Sequence, residues 1–174
     1  MSDTFITIIA IGIAAILMFV FPLMTLADRN DDITSLTVQT ATTEFVDEIR
    51  KTGKLTLDEY TSFNSALAAT GNAYEVEIEF KILDENPAKK TSQSGNETVI
   101  GENVYYSVYT TQIEDRLATN NQYILKEGDI VSVSVKNRSH TLAQTLRNVY
   151  YRVSGNDTYT IAASSAGTVT VNGK

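Results

Sequence analysis

The chain opens on a stretch with no polar rhythm. Residues 4–27 carry no charge and read TFITIIAIGIAAILMFVFPLMTLA. As a helix rising about 1.5 Å per residue, the run extends roughly 36 Å, enough to cross a ~30 Å hydrocarbon core with some tilt. A helix satisfies its backbone polar groups internally and so suits lipid. Pro22 removes one backbone donor, which predicts a kink near the end of the run. Asp28, Arg29, Asp31 and Asp32 then end it sharply and mark a membrane surface.

Beyond residue 32 the pattern becomes periodic. Val38, Ala41 or Thr42, Phe45 and Ile49 recur at three- and four-residue spacing, predicting an amphipathic helix over 33–51 that continues or restarts from the apolar run. Arg50 and Lys51 suit its C-terminus, and Gly53 is a natural stop. Thr56 and Glu59 fit a capping box that opens a second helix, with Tyr60, Phe63 and Leu67 on one side and an end near Gly71 and Asn72. A helical hairpin, 33–51 and 56–70, therefore precedes the strands. Tyr74, Val76, Ile78, Phe80 and Ile82 alternate with Glu75, Glu77, Glu79, Lys81 and Leu83, which gives a strand with one buried and one wet face.

Residues 84–102 are polar and read as a long loop. A strand follows at 103–110, then a short helix at 112–118, broken by Asn120 and Asn121. Gly128 and Asp129 turn the chain into a strand at 130–136, where Val131, Val133 and Val135 share a face. Leu142, Leu146, Val149 and Tyr150 predict a helix over 139–152. Two last strands, 159–163 and 168–171, flank an expected turn at Ala166 and Gly167. The fold class is α+β: an N-terminal transmembrane helix, the hairpin, and a mainly antiparallel sheet with one or two packed helices. A parallel crossover through the 139–152 helix is the alternative connection. The organisation is an anchor with its juxtamembrane cluster over 1–32 and one head domain over 33–174.

Composition narrows the function. The 174 residues carry a net charge of −7, which argues against nucleic acid as a partner and against a polybasic clamp on anionic lipid. There is no cysteine, hence no disulfide framework, thiolate metal site or thiol nucleophile. Three readings of the apolar run compete. A stable anchor is favoured. A cleaved signal peptide is second, because residues 25–27 end in a small side chain, although the segment before the run lacks Lys and Arg. A buried helix of a soluble protein is last, because so small a domain cannot surround the run. Arg29 alone bears on the positive-inside rule, and the head is placed outside the cytoplasm on composition and the acidic cluster. Ala10, Gly12, Ala14 and Ala15 lie near one another on the helix and would let helices approach closely. With Val38, Phe45 and Ile49 they are the candidate helix-packing residues for assembly.

Chemistry is sparse. His140 is the only histidine and reads as a solvated residue at a helix start. No Walker, GxGxxG or nucleophile-elbow motif occurs, and no cofactor is expected. Asp28, Asn30 and Asp32 mimic the opening of a calcium loop, but Ile33 stands where Gly is required and Gln39 where the closing Glu belongs. Glu75, Glu77 and Glu79 read as a solvated face relieved by nearby Lys. Tyr105, Tyr106, Tyr109, Tyr150, Tyr151 and Tyr159 read first as sheet and core residues and second as a binding patch. Asn96, Asn137 and Asn156 each open a glycosylation triplet.

The order of parts resembles pilin-like proteins. The segment FVDEIRKTGKLTLDEYTSFNSALAATGNAYEVEIEF, with the later YILKEGDIVSVSVKN, resembles the region after the membrane helix in TadE-like pseudopilins of tight-adherence pilus systems. The resemblance implies a non-enzymatic structural or accessory subunit of a pilus-like or secretion-related envelope assembly. Its partners would be membrane lipid and like or unlike envelope subunits. The rival reading is a membrane-tethered binding or adhesion module that uses the 84–102 loop and the tyrosine-rich strands; an enzyme is third.

Overall fold

A computed structural model describes residues 2–84, 105–139, 141–145 and 161–174. The hydrophobic pattern is realised as one unbroken helix, α1 (Ser2–Thr52), which carries Pro22 in its interior. At about 1.5 Å per residue it is roughly 75 Å long. Residues 3–23 are exposed without exception, and the buried series begins at Ala27. Ala27, Asp31, Thr34, Val38, Thr42, Phe45, Val46 and Ile49 then form one stripe at helical spacing. No break in the helix separates the apolar run from the head; the division is where the buried stripe starts.

After α1 come β1 (Lys54–Thr56), α2 (Leu57–Ala68), β2 (Tyr74–Leu83), β3 (Tyr105–Tyr109), α3 (Thr110–Asn120), β4 (Gln122–Ile124), β5 (Ile130–Asn137) and β6 (Ala162–Thr168). The larger sheet has the order β3-β2-β5-β6 and the smaller pairs β1 with β4, every pairing antiparallel. The fold is thus α+β, as the pattern predicts. The parallel crossover is ruled out, because β5 and β6 pair antiparallel, with Val133 opposite Ser165.

Local chemistry places most boundaries. The Thr56 hydroxyl accepts from the Glu59 N–H at 3.2 Å, and the Glu59 carboxylate accepts from the Thr56 N–H at 2.8 Å, which is the expected capping box. Asn121 closes α3 in the left-handed conformation with φ 59°. Thr110, at the start of α3, extends the work of β3: its hydroxyl accepts from the Ile78 N–H at 2.7 Å.

One sheet face builds the core. Ile78 and Phe80 from β2, Val131, Val133 and Val135 from β5, and Ala163 from β6 pack with the α1 stripe, α2 and α3. Phe45 and Phe63 stack with ring centroids 4.2 Å apart, joining α1 to α2. The inward positions of β6 are small: Ala163, Ser165 and Gly167. Small side chains let α1 lie close over this strand.

Two expectations need correction. The turn at Ala166 and Gly167 does not exist, because β6 runs straight through both. Gly167 is there for close approach: a Cβ would collide with the Arg50 side chain. Residues 168–171 are not a separate strand; β6 ends at Thr168, and an extended strap follows. It is tied by Val169 N–H to Asp129 C=O at 2.8 Å and by Thr170 N–H to Arg50 C=O at 3.0 Å. Among the described residues nothing covers the apolar run, which speaks against the last-ranked reading of it as the core helix of a soluble protein. Of the predicted 139–152 helix, residues 142–145 are helical and 146–152 lie outside the described residues, as do most of the 84–102 loop and His140.

Candidate functional site

The feature with the largest unexplained apolar surface is α1 itself. Its window of highest mean hydropathy, 2.7, has none of its residues buried, and it is long and apolar enough to cross a membrane. Beyond that stretch the helix has two faces. One is the buried stripe against the sheet. On the opposite side Leu26, Ile33 and Leu36 are 65%, 57% and 67% exposed. Ile33, Leu36, Thr37, Thr40, Ala41 and Glu44 line a shallow groove of about 400 Å³ along this side. A stepping angle of about 100° per residue puts Ile33 and Leu36 across the helix from Val38 and Phe45.

The seven predicted helix-packing residues divide accordingly. Ala10, Gly12, Ala14 and Ala15 are exposed, and a Cβ added at Gly12 would meet nothing within 4 Å. Ala10 and Ala14 share one side, while Gly12 and Ala15 turn toward another, so the four do not form a single stripe. Val38, Phe45 and Ile49 are buried in the core of their own chain. Their apolar surface serves intrachain packing and is not available to a neighbour. The positions they leave open are Ile33 and Leu36. The sequence held the signal for these two, since they fall out of phase with the core stripe.

Just past the apolar run the acidic cluster is only partly solvated. Asp31 is buried, and its Oδ2 accepts from the buried Thr141 hydroxyl at 2.6 Å. The same hydroxyl accepts from the Gln144 N–H at 3.2 Å, while the Gln144 side chain accepts from the Thr141 N–H at 3.0 Å. The capping box orders residues 141–145, and the Thr141–Asp31 hydrogen bond ties them to α1. Asp28, Asn30 and Asp32 sit within the continuous helix, a geometry unlike a cation-binding loop, and no cluster of three His, Asp or Glu suited to a metal occurs among the described residues.

The outer sheet face is polar. Glu77 lies 3.7 Å from Lys136, and Glu79 accepts from the Ser107 hydroxyl at 2.7 Å, so the acidic strand face is relieved as expected. Tyr106 and Tyr109 are 46% and 60% exposed, whereas Tyr123, in a segment without a periodic signal, is buried under the Arg116 guanidinium. Burial raises the Tyr123 phenol above its usual value. Burial, then the hydrogen bond to Glu114 at 2.5 Å, raises Tyr60. Asn137 is no glycan acceptor in the folded chain, because its amide nitrogen is buried. Asn96 and Asn156 lie outside the described residues.

Set beside known proteins, this chain matches no family model, no curated protein and no solved structure.

Proposed function

We propose that this chain is a non-enzymatic, membrane-anchored structural or accessory subunit of a pilus-like or secretion-related envelope assembly, with its head outside the cytoplasm. One observation carries the reading. The exposed apolar line of α1 does not stop where a lipid anchor could stop. It continues through Ile33 and Leu36, beyond the charged cluster at 28–32, on the side turned away from the head. Lipid accounts for residues 4–27; it does not account for apolar side chains beyond the charged cluster. A neighbouring helix does, because it removes that surface from water while leaving the head outside. The exposed small residues Ala10 and Ala14 allow the same close approach within the bilayer.

The test uses the absence of native cysteine. Full-length Leu36→Cys, oxidised in native membranes, should give cross-linked dimers or larger species, and Thr119→Cys, exposed on α3 of the head, should give far fewer. Leu36→Ser should abolish assembly without lowering the melting temperature. A full-length protein that stays monomeric in membranes, with no cross-linked envelope partner, sinks the proposal.

A second reading, a tethered binding or adhesion module, is favoured by the groove of about 410 Å³ beside Tyr109, which Glu77, Glu79, Thr111, Ser132 and Ser134 also line. Tyr109→Ala would then weaken surface attachment while leaving cross-linking through α1 intact.

A further inference from the structure

We propose that the base of the head is seated in the interface of a zwitterionic phospholipid bilayer, with Leu142 as the side chain that enters it. This rests on the reading of residues 4–27 as a membrane span. A cleft of about 390 Å³ joins the end of that span to the base of the head; Leu23, Leu26 and Asn30 of α1 line it together with Asn72 and Leu142. Along α1 the cleft runs from Leu23 to Asp31, about 12 Å at 1.5 Å per residue. With Leu23 and Leu26 at the boundary of the hydrocarbon, Leu142 and Asn72 fall in the adjoining headgroup layer.

The geometry is held firmly. The Thr141 hydroxyl donates to Asp31 at 2.6 Å, and both groups are buried, so Leu142 cannot swing away from α1. The turn beside it is tied as well: Arg138 N–H donates to the Ala73 carbonyl at 2.8 Å, and Ala73 N–H to the Ser139 hydroxyl at 3.2 Å. Within this fixed base Leu142 is 59% exposed, an apolar side chain beside the polar Asn30 and Asn72. Apolar groups facing the acyl boundary with amides at headgroup level match a bilayer interface. Among the described residues there, Asp28, Asp31 and Asp32 outweigh Arg29 and Arg138, which favours zwitterionic over anionic headgroups.

The test uses full-length chains with a single environment-sensitive fluorophore at Leu17→Cys, Leu142→Cys, Asn72→Cys or Ile124→Cys, reconstituted in phosphatidylcholine vesicles with nitroxides in the headgroup or deep in the tail. Ile124 pairs with Lys54 past the far end of α1, roughly 40 Å along the helix from Ala27. Labels at Leu142 and Asn72 should lose intensity to the headgroup nitroxide, the Leu17 label to the tail nitroxide, and the Ile124 label to neither. If Leu17 is quenched while Leu142 and Asn72 behave like Ile124, the head stands off the bilayer and the inference is overturned, with the anchor intact. A blue-shifted but unquenched Leu142 label overturns it in favour of a protein neighbour. An unquenched Leu17 label overturns the anchor and the inference together.

Discussion

Single residues hold the junction at the far end of α1. Gly53 has φ +67°, and a Cβ there would run into the Val171 carbonyl of the C-terminal strap. Its N–H donates to Ile49 C=O at 2.9 Å and its C=O accepts from Leu125 N–H at 2.8 Å, so the turn cannot move without loosening both α1 and β4. Gly53→Ala should cost about 2 kcal/mol or more, read as a lower urea midpoint. Asp129 plays a comparable role for the turn into β5. Its buried carboxylate accepts from the Leu83 N–H at 2.9 Å and the Lys126 N–H at 2.8 Å. Asp129→Ala leaves two amides without their acceptor and should cost about 2–3 kcal/mol in the same assay.

Tyr60 gives the chain an alkaline sensitivity. Its phenol titrates above the ordinary 10.0 when folded, chiefly through burial and then through Glu114. The unfolded state therefore loses that proton first as pH rises. The stabilisation is complete below pH about 10 and declines as pH climbs through the raised folded value. Tyr60→Phe should make the fall in melting temperature above pH 10 shallower. An unchanged slope would show that Tyr60 has no part in it.

At the scale of elements, α1 does two tasks with two faces. Its inward stripe is core, so Val46→Ala, at a fully buried position, should cost about 1–3 kcal/mol. Its outward residues Ile33 and Leu36 touch no core, and polar substitutions there should leave stability within about 0.5 kcal/mol. β6 answers α1 with small side chains. Ala163→Leu would push into the helix and should destabilise by about 1–3 kcal/mol, measured by thermal melting. The Asp31–Thr141 hydrogen bond couples two elements 110 residues apart. A double-mutant cycle with Asp31→Ala and Thr141→Val should return about 1–2 kcal/mol of coupling.

At the scale of the molecule, the apolar run and the head share one helix yet divide its length. Residues 3–26 contribute nothing to the buried stripe, which starts at Ala27. A chain begun at Ala27 should therefore keep the melting temperature of the full-length protein within a few degrees, and should fractionate as a soluble protein. The full chain should need detergent.

The sequence by itself determined the elements whose signals are local. The uncharged run, the Thr56 and Glu59 cap, the alternation through β2 and the break at Asn121 each depend on neighbours a few residues away, and each appears in the structure as read. Tertiary structure decided what local patterns cannot carry. Gly167 resembles a turn residue until Arg50, distant in sequence, is seen to require the space. Lys54–Thr56 and Gln122–Ile124 are too short to show alternation, and become strands only because each supplies the other's hydrogen bonds. Val38, Phe45 and Ile49 announce an apolar face, but periodicity does not say whether that face meets its own sheet or a neighbour's helix. The chain's own fold settled that, because the sheet of the same chain covers the stripe and leaves Ile33 and Leu36 outside.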